Sequence, residues 1–311
     1  MIPLAAFACI LTAACLHASW NVVIRSMKGN TAVLVLAHCY GSLLLIPFAL
    51  STPGFWEMFN HPDFWFLMTI SAGCQAFYNL LIAAAYVVGD VGLIYPLARG
   101  TAIILATIIS QLIGLDGRLS IFEVSAITLI IFGIAGLCFE SLNATSREEK
   151  GEIHRRVGEN ELGPRMLQNK VLMSMFMAVC VGTCTGSYSI ADSMSVKLFP
   201  MVPWYCVSSV LSSIILIPCI LTFYYGKTVD ALTNHKLTTV LITPPVIGAY
   251  MIILYVFTFP GINVALVVSV REFSVVIGAL LGVFFLKEPV SMVKFGSIFL
   301  MMVGMMIVKI L

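Results

Sequence analysis

Long runs of hydrophobic residues alternate along this chain with short polar segments. A transmembrane helix needs about 20 predominantly apolar residues to cross the hydrocarbon core of a bilayer, and ten runs have that length. They are continuously apolar, whereas the strands of a membrane barrel alternate between apolar and polar residues. The pattern therefore predicts an all-α integral membrane protein with ten transmembrane helices. The predicted spans are residues 3–24, 31–50, 64–86, 91–113, 120–139, 171–196, 202–223, 238–258, 262–285 and 291–310.

The only long polar stretch covers residues 140–170, where six basic and six acidic side chains balance. It divides the chain into residues 1–139 and 171–311, with five predicted spans on each side, and we expect it to be a charged linker. Because each half has an odd number of spans, the second half must enter the membrane from the opposite side. That arrangement is an inverted-topology repeat, which is common in secondary transporters.

The two halves also align residue by residue around their fourth and fifth spans. Once one residue is skipped in the following turn, the alignment continues into the last span of each half. The aligned pairs are Gly89 with Gly261, Arg99 with Arg271, Asp116 with Glu288, Ser120 with Ser291 and Gly133 with Gly304.

Composition supports a membrane protein and excludes several functions. Of the 311 residues, 60% are hydrophobic and 10% charged, against roughly 25% charged residues in soluble domains. A net charge of +2 without a basic cluster excludes nucleic-acid binding. The nine cysteines lie in apolar runs and are typical of small core residues. Ser291-Met-Val-Lys294 matches a Ser-x-x-Lys pattern, but Ser291 opens a span and is interpreted as an ordinary N-cap. No His-Glu-x-x-His, Gly-x-Ser-x-Gly or nucleotide-binding motif is present, so we expect neither enzymatic activity, nor a cofactor, nor a metal.

Two arginines lie near the centres of predicted spans, where a charge is costly. Insertion scales assign about 2.5–3.5 kcal/mol to each such arginine. Arg99 and Arg271 are displaced from the midplane in opposite directions, and we expect both to line a polar cavity. The alternatives are snorkelling to the membrane surface, or a structural ion pair that includes Glu272.

Further polar residues share helical faces with one another, and they are candidates for the same cavity. For each of them a hydrogen bond between helices is an equally good interpretation. Pro96 predicts a kink that either exposes backbone carbonyls to a cavity or is accommodated by neighbouring helices. His38 is interpreted as structural. The additional candidates are His17, Trp20, Asn21, Tyr78, Asn79, Tyr95, Tyr188 and Asp192, with Gln75 on the face of Tyr78 and Asn79.

Short motifs occur along the chain in a fixed order. They are His17-Ala-Ser-Trp-Asn21, Gly89-Asp90-Val-Gly-Leu-Ile-Tyr95-Pro96-Leu-Ala-Arg99-Gly100, Ser187-Tyr188-Ser-Ile-Ala-Asp192, Arg271-Glu272-Phe-Ser274 and Leu286-Lys-Glu288-Pro289. With these motifs, which together cover the chain outside the linker, the chain resembles the drug/metabolite transporter superfamily, specifically its ten-helix EamA-type permeases. The resemblance implies two inverted five-helix repeats around a central substrate cavity that works by alternating access.

Two buried arginines and two acidic residues favour a secondary transporter for a small polar metabolite, with an amino-acid-like zwitterion as the first choice. Arg99 and Arg271 would bind a carboxylate, phosphate or phosphonate. Glu272 or Asp192 would engage an amine or carry a coupling proton, and Trp20, Tyr78, Tyr95 and Tyr188 would form aromatic walls. The alternative is a protein that handles lipid head groups or acts as a membrane scaffold. In either case membrane lipids are partners.

Two signals disagree about orientation in the membrane. The odd-numbered loops hold 12 lysines and arginines, and the even-numbered loops with the C-terminal tail hold three. The positive-inside rule therefore places both termini outside, whereas the family resemblance implies that both termini are cytoplasmic. The sequence therefore does not decide the orientation. The resemblance implies a multi-pass protein of the bacterial cytoplasmic membrane.

Overall fold

The computed structural model describes residues 2–27, 30–88, 91–155, 164–277, 280 and 291–310, and it is helical throughout its core. We number its α-helices along the chain. They are α1 (Leu4–Ser26), α2 (Thr31–Ser51), α3 (Phe64–Val88), α4 (Val91–Leu112), α5 (Ile121–Arg155), α6 (Pro164–Ser195), α7 (Met201–Phe223), α8 (Tyr225–Thr233), α9 (Lys236–Phe257), α10 (Val264–Arg271) and α11 (Met292–Ile310).

Within these described ranges, nine helices are long and apolar enough to cross a membrane: α1 to α7, α9 and α11. Large apolar side chains such as Phe48, Phe66 and Phe132 are exposed on their outer faces, where a bilayer would cover them. Nine of the ten predicted spans therefore have a matching helix. The protein is a multi-pass helical membrane protein.

The remaining predicted span, residues 262–285, is described only in its first part. Helix α10 ends at Arg271, the backbone turns at Glu272, and residues 273–277 are helical again. Residues 281–290 lie outside the described part of the chain. So do Gly89, Asp90 and the motif from Leu286 to Pro289, on which the family resemblance partly rests.

Local details differ from the sequence-based expectations in three places. Helices α5 and α6 extend into the predicted linker, to Arg155 and from Pro164 respectively. The short helix α8 and a 3₁₀ turn at Glu57–Asn60 were not predicted. Helix α4 is assigned as one continuous helix through Pro96, and the turn at Glu272 interrupts the span that is aligned with it.

Helix starts are fixed by polar side chains that accept hydrogen bonds from free backbone amides. Ser120 and Glu123 form a reciprocal capping box at the start of α5, with distances of 3.2 and 2.8 Å. The Oγ of Ser291 accepts a hydrogen bond from the amide of Lys294 at 3.0 Å and caps α11. The two aligned serines therefore perform the same task in both halves.

Helices of the two halves pack against each other in pairs. Helix α1 packs on α9 and α3 on α6, while α2 packs on α7 and α5 on α11. Helix α4 contacts α5, α6 and α10, and α10 also contacts α1. This packing surrounds a polar centre that holds Arg99, Asp192, Arg271 and Glu272, all of them buried.

Two glycines allow the close approach of α5 and α11. A Cβ added to Gly133 would lie 2.6 Å from the carbonyl oxygen of Ser297, and one added to Gly304 would lie 2.7 Å from that of Ala126. Neither contact is possible for a real Cβ atom. The aligned glycines therefore occupy reciprocal positions in one helix–helix interface.

Candidate functional site

A cavity of about 100 Å³ lies among α1, α2, α3, α4, α6, α7, α9 and α10. Its walls mix aliphatic residues, such as Ala13 and Ile253, with an unusual number of polar and aromatic side chains. A cavity of this size and polarity has room for several waters or for a small organic molecule. The polar and aromatic lining residues are His17, Trp20, His38, Gln75, Tyr78, Asn79, Arg99, Tyr188, Tyr205, Tyr250 and Arg271.

Arg99 on α4 is surrounded by partners from other helices. Its Nη1 lies 3.5 Å from Oε1 of Glu272, which is fully buried. Its Nη2 lies 2.7 Å from Nε2 of His17. Because a guanidinium only donates, this His17 nitrogen accepts, and its ring is neutral with the proton on Nδ1. The guanidinium carbon also lies 4.8 Å from the ring centroid of Tyr95, so the charge of Arg99 is compensated.

Arg271 at the end of α10 has a different environment. It is buried, with 6% exposure. Its Nε and Nη2 have no hydrogen-bond partner among the described residues. These two nitrogens form one edge of the guanidinium, and their N–H bonds are nearly parallel, as in bidentate binding of a carboxylate or phosphate. Since a buried donor without a partner is costly, this edge has hydrogen-bonding capacity that no protein group uses among the described residues.

Trp20, which also lines the cavity, has a further donor without a partner. Its ring nitrogen Nε1 is buried and has no hydrogen-bond partner among the described residues. The ring of His17 packs edge-on against it, with centroids 4.6 Å apart. An indole nitrogen can only donate, so the unpaired donors of the lining favour a bound group that accepts hydrogen bonds.

Asp192 on α6 lies behind the cavity wall in a complete hydrogen-bond network. Its Oδ1 accepts hydrogen bonds from Oγ of Ser71 at 2.6 Å and from Nε1 of Trp204 at 2.8 Å. Its Oδ2 accepts a hydrogen bond from the hydroxyl of Tyr250. Gln75 donates to Ser71 at 3.1 Å, so the network reaches the cavity through both Gln75 and Tyr250.

Four tyrosines form a continuous row along one side of the cavity, which we call the tyrosine row. The ring centroids of Tyr78 and Tyr188 are 6.3 Å apart, and those of Tyr188 and Tyr250 are 5.7 Å apart. The centroids of Tyr250 and Tyr205 are 5.5 Å apart. The row combines residues of α3, α6, α7 and α9, so only the packed bundle creates it.

The eleven residues selected from the sequence are found together around this cavity. Each of the four that do not line it contacts a residue that does: Asn21 donates to the carbonyl of His17, Tyr95 and Glu272 contact Arg99, and Asp192 binds Tyr250. The seven that line the cavity are His17, Trp20, Tyr78, Asn79, Arg99, Tyr188 and Arg271.

Sequence reasoning did not select Tyr205 and Tyr250, and it interpreted His38 as structural. His38 lies 3.0 Å from Oγ of Ser209 through Nε2 and also lines the cavity. Tyr205 lies near the start of α7, where tyrosines are common at the membrane interface. Tyr250 lies in the middle of an apolar helix, and this position deep inside a predicted span could have identified it as a candidate site residue.

Comparison with known proteins identifies the fold and no function. No family model and no curated protein matches the chain. A solved structure described only as "Crystal structure of protein" superposes with a TM-score of 0.70 at 16% identity, covering 98% of this chain and 96% of the other. At this identity the likeness concerns the fold alone.

Proposed function

We propose that this protein is a secondary transporter that moves a small anionic or zwitterionic metabolite across the membrane by alternating access. The transported molecule binds in the central cavity. In this proposal the chain has ten spans arranged as two inverted five-helix repeats, as in the drug/metabolite transporter superfamily that its motifs resemble.

The unpaired edge of Arg271 is the observation that carries this proposal. A lipid-facing or purely structural arginine would direct its donors to the surface or to an ion pair. Arg271 instead is buried, borders a cavity, and has two nitrogens without a hydrogen-bond partner among the described residues. A buried guanidinium with unused donors beside a cavity is suited to bind a carboxylate, phosphate or phosphonate from water.

The helix pairing supports the repeat that alternating access requires. If each helix is replaced by the corresponding helix of the other half, the contact of α1 with α9 becomes the contact of α6 with α3. The contacts of α2 with α7 and of α5 with α11 map onto themselves. The reciprocal close contacts of Gly133 and Gly304 follow the same exchange, because Ser297 aligns with Ala126. A two-fold related pair of bundles can rock around a central site.

The aligned positions also meet at the cavity. Arg99 and Arg271 both line it, and so do Tyr78 and Tyr250. The spacing between the two tyrosines along the chain equals the spacing between the two arginines, so the tyrosines are also an aligned pair. A transporter of this plan has its binding site at the interface of its repeats. Both halves therefore contribute to one site, as a single route through the molecule requires.

The test is uptake of radiolabelled amino acids and small carboxylates by proteoliposomes that contain the purified protein. We expect at least one compound to accumulate, and Arg271→Gln to lower its initial uptake rate at least about tenfold, because one charge-assisted bidentate contact is lost. Arg118→Gln, which changes an exposed loop arginine, is the matched control and is expected to transport normally. Normal uptake by folded Arg271→Gln protein would contradict the proposal.

A further inference from the structure

The tyrosine row is backed by a carboxylate that does not touch the cavity itself. Asp192 is fully buried, and three donors point at its oxygens. The Trp204 nitrogen can only donate, and an ionised carboxylate can only accept. Three donors on one carboxyl group fit the ionised form, in which a negative charge lies directly behind Tyr250.

The hydroxyl of Tyr250 has one proton, which it donates in its hydrogen bond to the Asp192 carboxylate. The lone pairs of that oxygen remain available as acceptors, and the adjacent charge polarises the O–H bond. The faces of aromatic rings are also negative and attract cations within about 6 Å. The cavity side of Tyr250, between the rings of Tyr188 and Tyr205, therefore offers a phenolic oxygen and ring surfaces to a positive group.

The balance of the buried charges around the cavity indicates which charges a ligand should carry. The charges of Arg99 and Glu272 cancel, since they form an ion pair at 3.5 Å, and His17 is neutral in its hydrogen bond to Arg99. One positive charge on Arg271 and one negative charge on Asp192 remain. A ligand with one anionic and one cationic end matches both.

We propose that the side of the cavity formed by Tyr188, Tyr205 and Tyr250 is an ammonium subsite, with Asp192 as the positioning residue that orients and polarises Tyr250. Resting on the proposed function, the inference places the carboxylate of a small amino acid on Arg271 and its ammonium group on Tyr250. A cavity of about 150 Å³ holds benzene, so one of about 100 Å³ suits glycine, alanine or serine.

The experiment compares L-alanine with propionate, which lacks only the amino group, and with ethylamine, which lacks the carboxylate. Binding is measured by calorimetry on the full chain in detergent. We expect L-alanine to bind more tightly than either analogue. Tyr250→Phe should weaken L-alanine about tenfold, because an acceptor and its polarisation are lost, and should leave propionate unchanged.

Asp192 is tested by its effect on ligand selectivity, which a purely structural role would not change. Asp192→Asn should lower the ratio of L-alanine to propionate affinity, and Asp192→Glu should restore part of it. Tyr255→Phe is the matched control, since Tyr255 lies on the same helix with 49% exposure and is expected to bind both compounds like the unmodified protein.

Three results would overturn the ammonium subsite. They are equal affinity for L-alanine and propionate, equal weakening of both by Tyr250→Phe, and no binding of glycine, L-alanine or L-serine at about 10 mM. Failure of the transport proposal gives a different result, namely selective binding in detergent without accumulation in proteoliposomes. Transport of L-alanine and propionate with equal affinity would refute the subsite and leave transport intact.

Discussion

Arg99 and Arg271 occupy aligned positions in the two halves of the chain, yet their surroundings differ. Arg99 has an ion pair with Glu272, a hydrogen bond with His17 and a tyrosine ring beneath it. Arg271 has two buried nitrogens that find no partner among the described residues. One arginine has partners for its charge, and the other keeps two donors without a partner in the described part of the chain.

The residue after each arginine explains the difference. Arg271 is followed by Glu272, whose carboxylate crosses to the other half and pairs with Arg99. Arg99 is followed by Gly100, which has no side chain to pair with Arg271. Both arginines are buried at the polar centre, and the residue that follows each of them differs, so that only Arg99 has a glutamate as its ion-pair partner.

The largest expected effect comes from removing the paired arginine. Arg99→Gln leaves the Glu272 carboxylate buried without its cation, and breaking a buried pair costs about 3–5 kcal/mol. The free energy of unfolding in detergent, measured by chemical denaturation, should fall by that amount. Arg271→Gln should keep or raise stability, because it removes an unpaired buried charge.

The double variant Arg99→Gln with Glu272→Gln is the control for this prediction. Removing both charges should recover most of the lost stability, since no uncompensated ion remains. Equal destabilisation by Arg99→Gln and Arg271→Gln would mean that the two arginines have equivalent structural roles, contrary to their geometry.

The second prediction abolishes the difference between the halves. Gly100→Glu introduces a carboxylate at the position aligned with Glu272, where it is expected to pair with Arg271. L-Alanine affinity should fall at least about a hundredfold, or about 2.7 kcal/mol, because the cation is no longer free. Calorimetry measures the loss.

Gly100→Ala separates the new charge from the added volume. A Cβ at position 100 would lie 3.2 Å from Cγ2 of Ile134, so the alanine variant should cost little and bind L-alanine almost normally. Comparable loss of binding in both variants would attribute the effect to packing and not to the carboxylate.

The smallest effect concerns a place where the halves are alike. Gly133→Ala and Gly304→Ala each force α5 and α11 apart, because the added Cβ would lie 2.6 and 2.7 Å from a backbone oxygen. Each should lower the free energy of unfolding by about 1–2 kcal/mol, with similar values for both. Gly296→Ala has no atom within 4 Å of its added Cβ and should be neutral; clearly unequal losses at 133 and 304 would argue against equivalent halves.

Much of the candidate site was predictable because the membrane makes polar residues conspicuous. Arg99, Arg271 and their helical-face neighbours stand out against apolar spans, and a buried charge requires a partner or a cavity. Tyr205 and Tyr250 were not predicted, because the role of a tyrosine depends on what it faces; only the mid-helix position of Tyr250 gave a signal. The backbone turn at Glu272 had no proline or other sequence signal. Pro96, which does predict a break in its helix, lies within a continuous helix.

The sequence by itself determined nine long helices of the described part of the chain and their approximate limits, and it placed two arginines inside apolar spans. These features follow from local hydrophobicity over about 20 residues. Only the tertiary structure decided which arginine pairs with Glu272, which tyrosines share one wall, and that Asp192 accepts a hydrogen bond from Tyr250. Such contacts join residues far apart in the chain, and a hydrogen bond or ion pair depends on differences of an ångström that periodicity does not encode.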